Sequence, residues 1–65
     1  MDAKKIGQKL IKLRGEKSRQ EVAINNKISY SALQMYENGE RIPRDEVKIK
    51  LAKYFSATVQ SIFFD

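Results

Sequence analysis

An all-α fold, a compact five-helix bundle forming one domain over residues 1–65, is what this sequence predicts. Three observations carry that expectation. Apolar residues recur at helical spacing, and no alternating strand pattern competes. Helix-starting residues, Asp2, Ser18, Ser29 and Thr58, stand before the apolar segments. Residues that end helices, Gly15 and Asn38-Gly39, follow the first and third of them.

The first helix is expected from about Ala3 to Arg14. Ile6, Leu10 and Leu13 share one face at i, i+4 and i+7. Asp2 caps the start, where an acid also suits the helix dipole. Gly15 is a natural stop, because glycine tolerates the left-handed conformation. The second helix opens on Ser18-Arg19-Gln20-Glu21, a capping box in which serine and glutamate satisfy each other's backbone amides. Val22 and Ala23 are its apolar contacts, and it ends near Asn25 or Asn26.

Ser29 caps the third helix. At 100° per residue, Ala32, Leu33 and Tyr36 fall on the inner side. Tyr30, Ser31 and Gln34 fall opposite, with Met35 on the flank, either core edge or outward contact. Pro43 begins the fourth helix or immediately precedes it. Val47, Leu51, Tyr54 and Phe55 form its core stripe, bordered by Ala52, while Ile49 lies out of phase. Thr58 caps a last short helix whose core face is Val59, Ile62 and Phe63. Phe64 points away from that face.

Composition narrows the function. No cysteine is present, so neither a disulfide nor a thiolate metal site is available. Without histidine, the commonest general base and metal ligand are missing. No glycine-rich phosphate loop appears, so an enzyme is disfavoured, and no cofactor or metal is expected. No apolar run reaches the length of a membrane span, and the start lacks the apolar stretch of a signal peptide. A cytoplasmic, nucleoid-associated protein is therefore expected.

Net charge is +5, from 13 Lys and Arg against 8 Asp and Glu. Lys4, Lys5, Lys9, Lys12, Arg14, Lys17 and Arg19 crowd the first third. That balance favours a polyanionic partner. Only about four residues, Asn25 to Ile28, join the second and third helices. So short a tether makes a helix-turn-helix, with the third helix held proud of the body. An α-helix fits the DNA major groove, where base edges present distinct patterns. Gln34 can bond adenine bidentately, Ser31 can donate or accept, Tyr30 offers a hydroxyl and a ring, and Met35 suits a thymine methyl. Ser18 and Arg19, the amides around Asn38-Gly39, and the side chains of Arg41 and Arg44 suit phosphates.

Five segments in order carry a resemblance: LIKLR at 10–14, SRQEVA at 18–23, ISYSALQMYENGERIP at 28–43, LAKYF at 51–55 and TVQSIFF at 58–64. Across nearly its whole length the chain resembles the lambda-repressor and Cro-like helix-turn-helix (XRE-type) regulators of bacteria and phages. The resemblance implies a five-helix bundle with helix three in the major groove. It implies base contacts from Tyr30, Ser31, Gln34 and Met35, and phosphate contacts near Arg19, Asn38 and Arg41. It also implies a groove-facing Arg44, and an ion pair between Arg14 and Glu37. The chain departs from the family pattern after helix two. The usual glycine falls on Lys27 and the usual leucine on Asn26. Either Asn26 takes the left-handed conformation or helix two ends early.

The expected function is sequence-specific binding of a double-stranded DNA operator as a transcriptional regulator, with repression the favoured outcome. One helix-turn-helix reads few base pairs, so a homodimer on a two-fold site is expected, with Ile49 and Phe64 as candidate dimer contacts. Sixty-five residues leave no room for a sensing domain, so no small-molecule ligand is expected. The alternative is an antitoxin or adaptor that uses the same fold for a protein partner through Ile42, Ile49 and Phe64.

Overall fold

The computed structural model describes residues 1–64. Five helices follow in order: α1 (Ala3–Arg14), α2 (Arg19–Asn25), α3 (Tyr30–Glu37), α4 (Asp45–Tyr54) and a short, wide C-terminal helix of π type (Gln60–Phe64). No strand is present among the described residues. Their starts are built by the residues that the sequence marks. The Asp2 carboxylate accepts from the Lys4 and Lys5 amides. Ser18 Oγ accepts from the Glu21 amide at 3.0 Å, and Ser29 Oγ from the Ala32 amide at 2.9 Å. Thr58 Oγ1 accepts from the Ser61 amide at 3.0 Å.

Three helix ends close alike. At α2, α3 and α4 the chain turns back through a left-handed residue, and the next amide reaches a carbonyl one turn inside the helix. The left-handed residues are Lys27 (φ 55), Gly39 (φ 72) and Ser56 (φ 55). The closing bonds run from Ile28 to Ala23, Glu40 to Met35 and Ala57 to Ala52. Of these three positions, only Gly39 escapes the Cβ strain of that conformation. Asn26 is therefore not left-handed; its φ is −103. Its side chain is buried and donates to the Val22 carbonyl at 2.8 Å, which holds it on the helix and passes the reversal to Lys27.

All five elements supply the core: Ile6 and Leu10, Val22 and Ala23, Leu33 and Tyr36, Val47, Leu51 and Ala52, and Ile62 and Phe63. Fully burying one such Leu or Phe contributes about 1.5–3 kcal/mol. Leu13 departs from the expected core face and is exposed. It lies near the C-terminal end of α1, bordering an open groove with Ala57 and Ile62. Tyr54 and Phe55 are half-buried at the core edge, their rings meeting edge to face at 5.1 Å. Nor does Pro43 open the fourth helix. Its ring is buried, Arg44 follows in extended conformation (ψ 163), and α4 begins at Asp45.

The backbones of α1 and α3 approach closely where they cross. A Cβ on Gly7 would overlap the Glu37 carbonyl oxygen and lie 2.8 Å from that of Tyr36. Both obstacles are backbone, so no side chain can swing away. Gly7→Ala should therefore destabilise. Overpacking costs about 1–3 kcal/mol, against about 0.5–1 kcal/mol gained from alanine's better helix propensity. The expected net loss is about 1–2 kcal/mol, read as a fall in urea midpoint at unchanged m-value. An unchanged or raised midpoint would show that the helices separate freely.

Lys48 is an unexpected buried residue. Its ammonium group lies 5.0 Å from the Phe64 ring centre, 6.0 Å from that of Phe63 and 3.4 Å from Asp45 Oδ1. The ring faces and one carboxylate offset the lost hydration.

Candidate nucleic-acid interface

The site is built outward from α3. Leu33, Tyr36 and Glu37 are buried against the bundle, which rotates the opposite face to solvent. Tyr30, Ser31, Gln34 and Met35 are all exposed there. Met35 is thus an outward residue rather than core edge. The four side chains offer two hydroxyls, one amide and one thioether, a set that can donate, accept and make apolar contact.

Behind this face lies an ionic centre joining three helices. Glu37, with its side chain 1% exposed, receives Arg14 Nε from α1 at 2.7 Å and Arg19 Nε from α2 at 2.7 Å. Arg14 Nη2 adds a longer bond at 3.3 Å, and its Nη1 donates to the Lys17 carbonyl at 2.8 Å. No buried side-chain polar atom lacks a partner among the described residues. Where the sequence suggests a pair, the structure has a triad. Arg19 has its Nε committed inward, while its side chain keeps 34% exposure. The bond to Glu37, and secondarily one to the Tyr30 hydroxyl, raises the Arg19 guanidinium above its ordinary value. Its charge is therefore constant across any physiological pH.

Around α3 stand the groups suited to phosphate. Ser18 and Arg19 begin α2. Arg41 and Arg44 are exposed in the loop after α3 and enter no ion pair among the described residues. Arg44 is also the N-cap residue of α4, without a side-chain capping bond. The backbone at Asn38-Gly39 does not fit its expected role. The amides of Asn38, Gly39 and Glu40 bond the carbonyls of Gln34, Tyr36 and Met35. They close α3 and are not free for an anion, so only the exposed Asn38 side chain remains. Lys4 is a basic residue whose place beside this loop the sequence conceals. Its Nζ donates to the Asn38 carbonyl at 3.4 Å.

Ile49 and Phe64 also come together. With Asp45, Lys48 and Val59 they line one shallow cavity of about 280 Å³.

Residues 9–61 match a family profile described as helix-turn-helix. The chain belongs to this family, in its Cro/C1-like XRE type, which is one of DNA-binding transcription regulators. No curated protein and no solved structure matches the chain. No helix among the described residues is long and apolar enough to cross a membrane.

Proposed function

We propose that this protein binds double-stranded DNA in a sequence-specific manner and acts as a transcriptional repressor, with α3 in the major groove. The observation that carries the reading is the outward face of α3, a polar face held rigidly by a buried ionic centre and flanked by exposed arginines. Tyr30, Ser31, Gln34 and Met35 are the base-reading residues. Ser18, Arg19, Asn38, Arg41 and Arg44 hold phosphates and set register. The protein works in the cytoplasm, on the nucleoid, where its operators are. Selection of bound sequences from a random duplex pool tests the whole reading. A two-fold symmetric motif is the expected result, and an unenriched pool would reject it.

Affinity for duplex DNA should fall steeply with salt. About six phosphates engaged would give roughly a thousandfold loss between 50 and 200 mM salt. Arg41→Ala should weaken operator and unrelated duplex alike and flatten the salt slope by about one. Titration at several salt concentrations checks both. A flat response in the parent protein removes DNA as the partner.

The operator-bound form is a homodimer, with half-sites about 10 base pairs apart or a multiple of that. The cavity bordered by Ile49, Val59 and Phe64 supports a self-association surface, because it groups exposed apolar side chains from two elements. Ile49→Lys should weaken dimerisation at least tenfold without lowering the thermal midpoint of the monomer. Phe64→Ala should weaken it and also lower that midpoint, because it removes a ring from the buried Lys48 ammonium. Sedimentation across a concentration series decides this. Identical mass curves for variant and parent would place the interface elsewhere.

A further inference from the structure

Asn38-Gly39 carries a chemistry that DNA recognition does not use. Asparagine is thermally labile, and most so before glycine, whose amide no side chain screens. Of the three asparagines, only Asn38 precedes glycine; Asn25 precedes Asn26, and Asn26 precedes Lys27. The fold ties the pair to this place. Gly39 takes left-handed backbone (φ 72), and a Cβ there would lie 2.9 Å from Lys4 Cα. Asn38 caps the C-terminal end of α3 and is exposed on the loop that carries Arg41.

The same loop holds the pair against reaction. Ring closure needs the Gly39 nitrogen to eclipse the Asn38 Cβ about the Cα–C bond. At ψ −3 it eclipses the Asn38 nitrogen instead. The Gly39 N–H donates to the Tyr36 carbonyl at 3.2 Å, and the Asn38 carbonyl accepts from Lys4 Nζ at 3.4 Å. Both ends of the peptide bond are thereby tied, one to α3 and one to α1. The Glu40 N–H, donating to the Met35 carbonyl at 2.9 Å, fastens the next residue. Reaction therefore waits on opening of the α3 terminus, and local opening of a helix end needs less energy than global unfolding.

We propose that Asn38 is a self-modification site of the DNA interface, deamidating when the α3 terminus opens and thereby releasing the protein from DNA. In the open loop the Gly39 nitrogen gives up its proton and attacks Asn38 Cγ. A Cγ–N bond forms, the Cγ–Nδ2 bond breaks, and ammonia leaves. Water then opens the cyclic imide at either carbonyl, giving aspartate or isoaspartate. Either product replaces a neutral amide by a carboxylate where a phosphate is to sit, and charge at such places sets duplex affinity. Isoaspartate also lengthens the backbone inside the turn that closes α3. The consequence for DNA rests on the reading of Asn38 as a phosphate contact; the chemistry does not.

Mass spectrometry of the full chain, incubated at mildly alkaline pH with and without denaturing urea, tests the chemistry. In urea Asn38 should gain one dalton at least tenfold faster than Asn25 or Asn26. In buffer alone the same site should react at least twentyfold more slowly than in urea. Glu37→Gln, which loosens α3, should narrow that gap at least threefold. Equal rates in buffer and urea, or no preference for Asn38 in urea, overturn the proposal. The consequence is read on a mixed-sequence duplex at low salt. Asn38→Asp, and the deamidated parent separated by ion exchange, should each bind at least tenfold more weakly, with thermal melts showing both folded. Asn38→Ser should bind within threefold of the parent. It should also keep its affinity through a long incubation in which the parent loses affinity in step with the mass gain. Unchanged affinity in Asn38→Asp, with the parent bound and salt-dependent, overturns the proposal and leaves DNA binding standing. A parent that ignores the duplex at every salt concentration rejects the DNA reading instead, and the claimed consequence with it.

Discussion

Replacing Glu37 with glutamine is expected to lower folding stability by about 3 kcal/mol. The carboxylate is 1% exposed and takes an Nε from each of two arginines at 2.7 Å. Glutamine keeps the volume but offers one acceptor where two are used, and it turns an amide donor toward a guanidinium. Arg14 is then stranded with its side chain only 15% exposed. One-sided removal of a buried ion pair costs about 3–5 kcal/mol, and the lower end applies here because both arginines retain some access to water. In a domain this small each kcal/mol moves the thermal midpoint by about 4–8 °C. The expected fall is therefore more than about 12 °C. Glu40→Gln, at an exposed position nearby, should change stability by less than about 0.5 kcal/mol. Equal midpoints in the two variants would show that the centre contributes nothing net.

Leu33→Ala is expected to cost about 2–5 kcal/mol, and its neighbour Gln34→Ala almost nothing in stability. Leu33 is fully buried among the core residues of all five elements, so truncation loses transfer energy and leaves a cavity. Gln34 is exposed and takes no part in the core. At the operator the order reverses. Gln34→Ala should lose about 1–3 kcal/mol at one base pair per half-site and relax preference there, with unrelated DNA bound as before. A correctly folded Leu33→Ala molecule should keep the parent's relative base preferences. Thermal melts and base-by-base competition separate the two effects. Should Gln34→Ala rank every single-base operator variant as the parent does, that residue does not read sequence.

Much of the fold was legible because its signals are local. Ser18, Ser29 and Thr58 each accept from an amide three residues ahead, and such bonds depend only on the residues between. The inward set on α3 likewise followed from 100° per residue, which separates Leu33 and Tyr36 from Ser31 and Gln34. Periodicity reports which way a side chain points. It does not report how far the covering elements extend. Leu13 is in phase with Ile6 and Leu10 yet exposed, because on its side of α1 it meets only the rim of an open groove with Ala57 and Ile62.

By itself, then, the sequence determined the number of helices, their capped starts, the two faces of α3 and the helix-turn-helix tether. Tertiary structure alone decided the partner of Arg19, which lies 18 residues from it along the chain. It also decided the contact that forbids a Cβ at Gly7 and the burial of Lys48 between aromatic rings. Each of these depends on the distance and angle at which two helices pack. That geometry comes from the fit of whole side-chain surfaces, and no stretch of neighbouring residues encodes it.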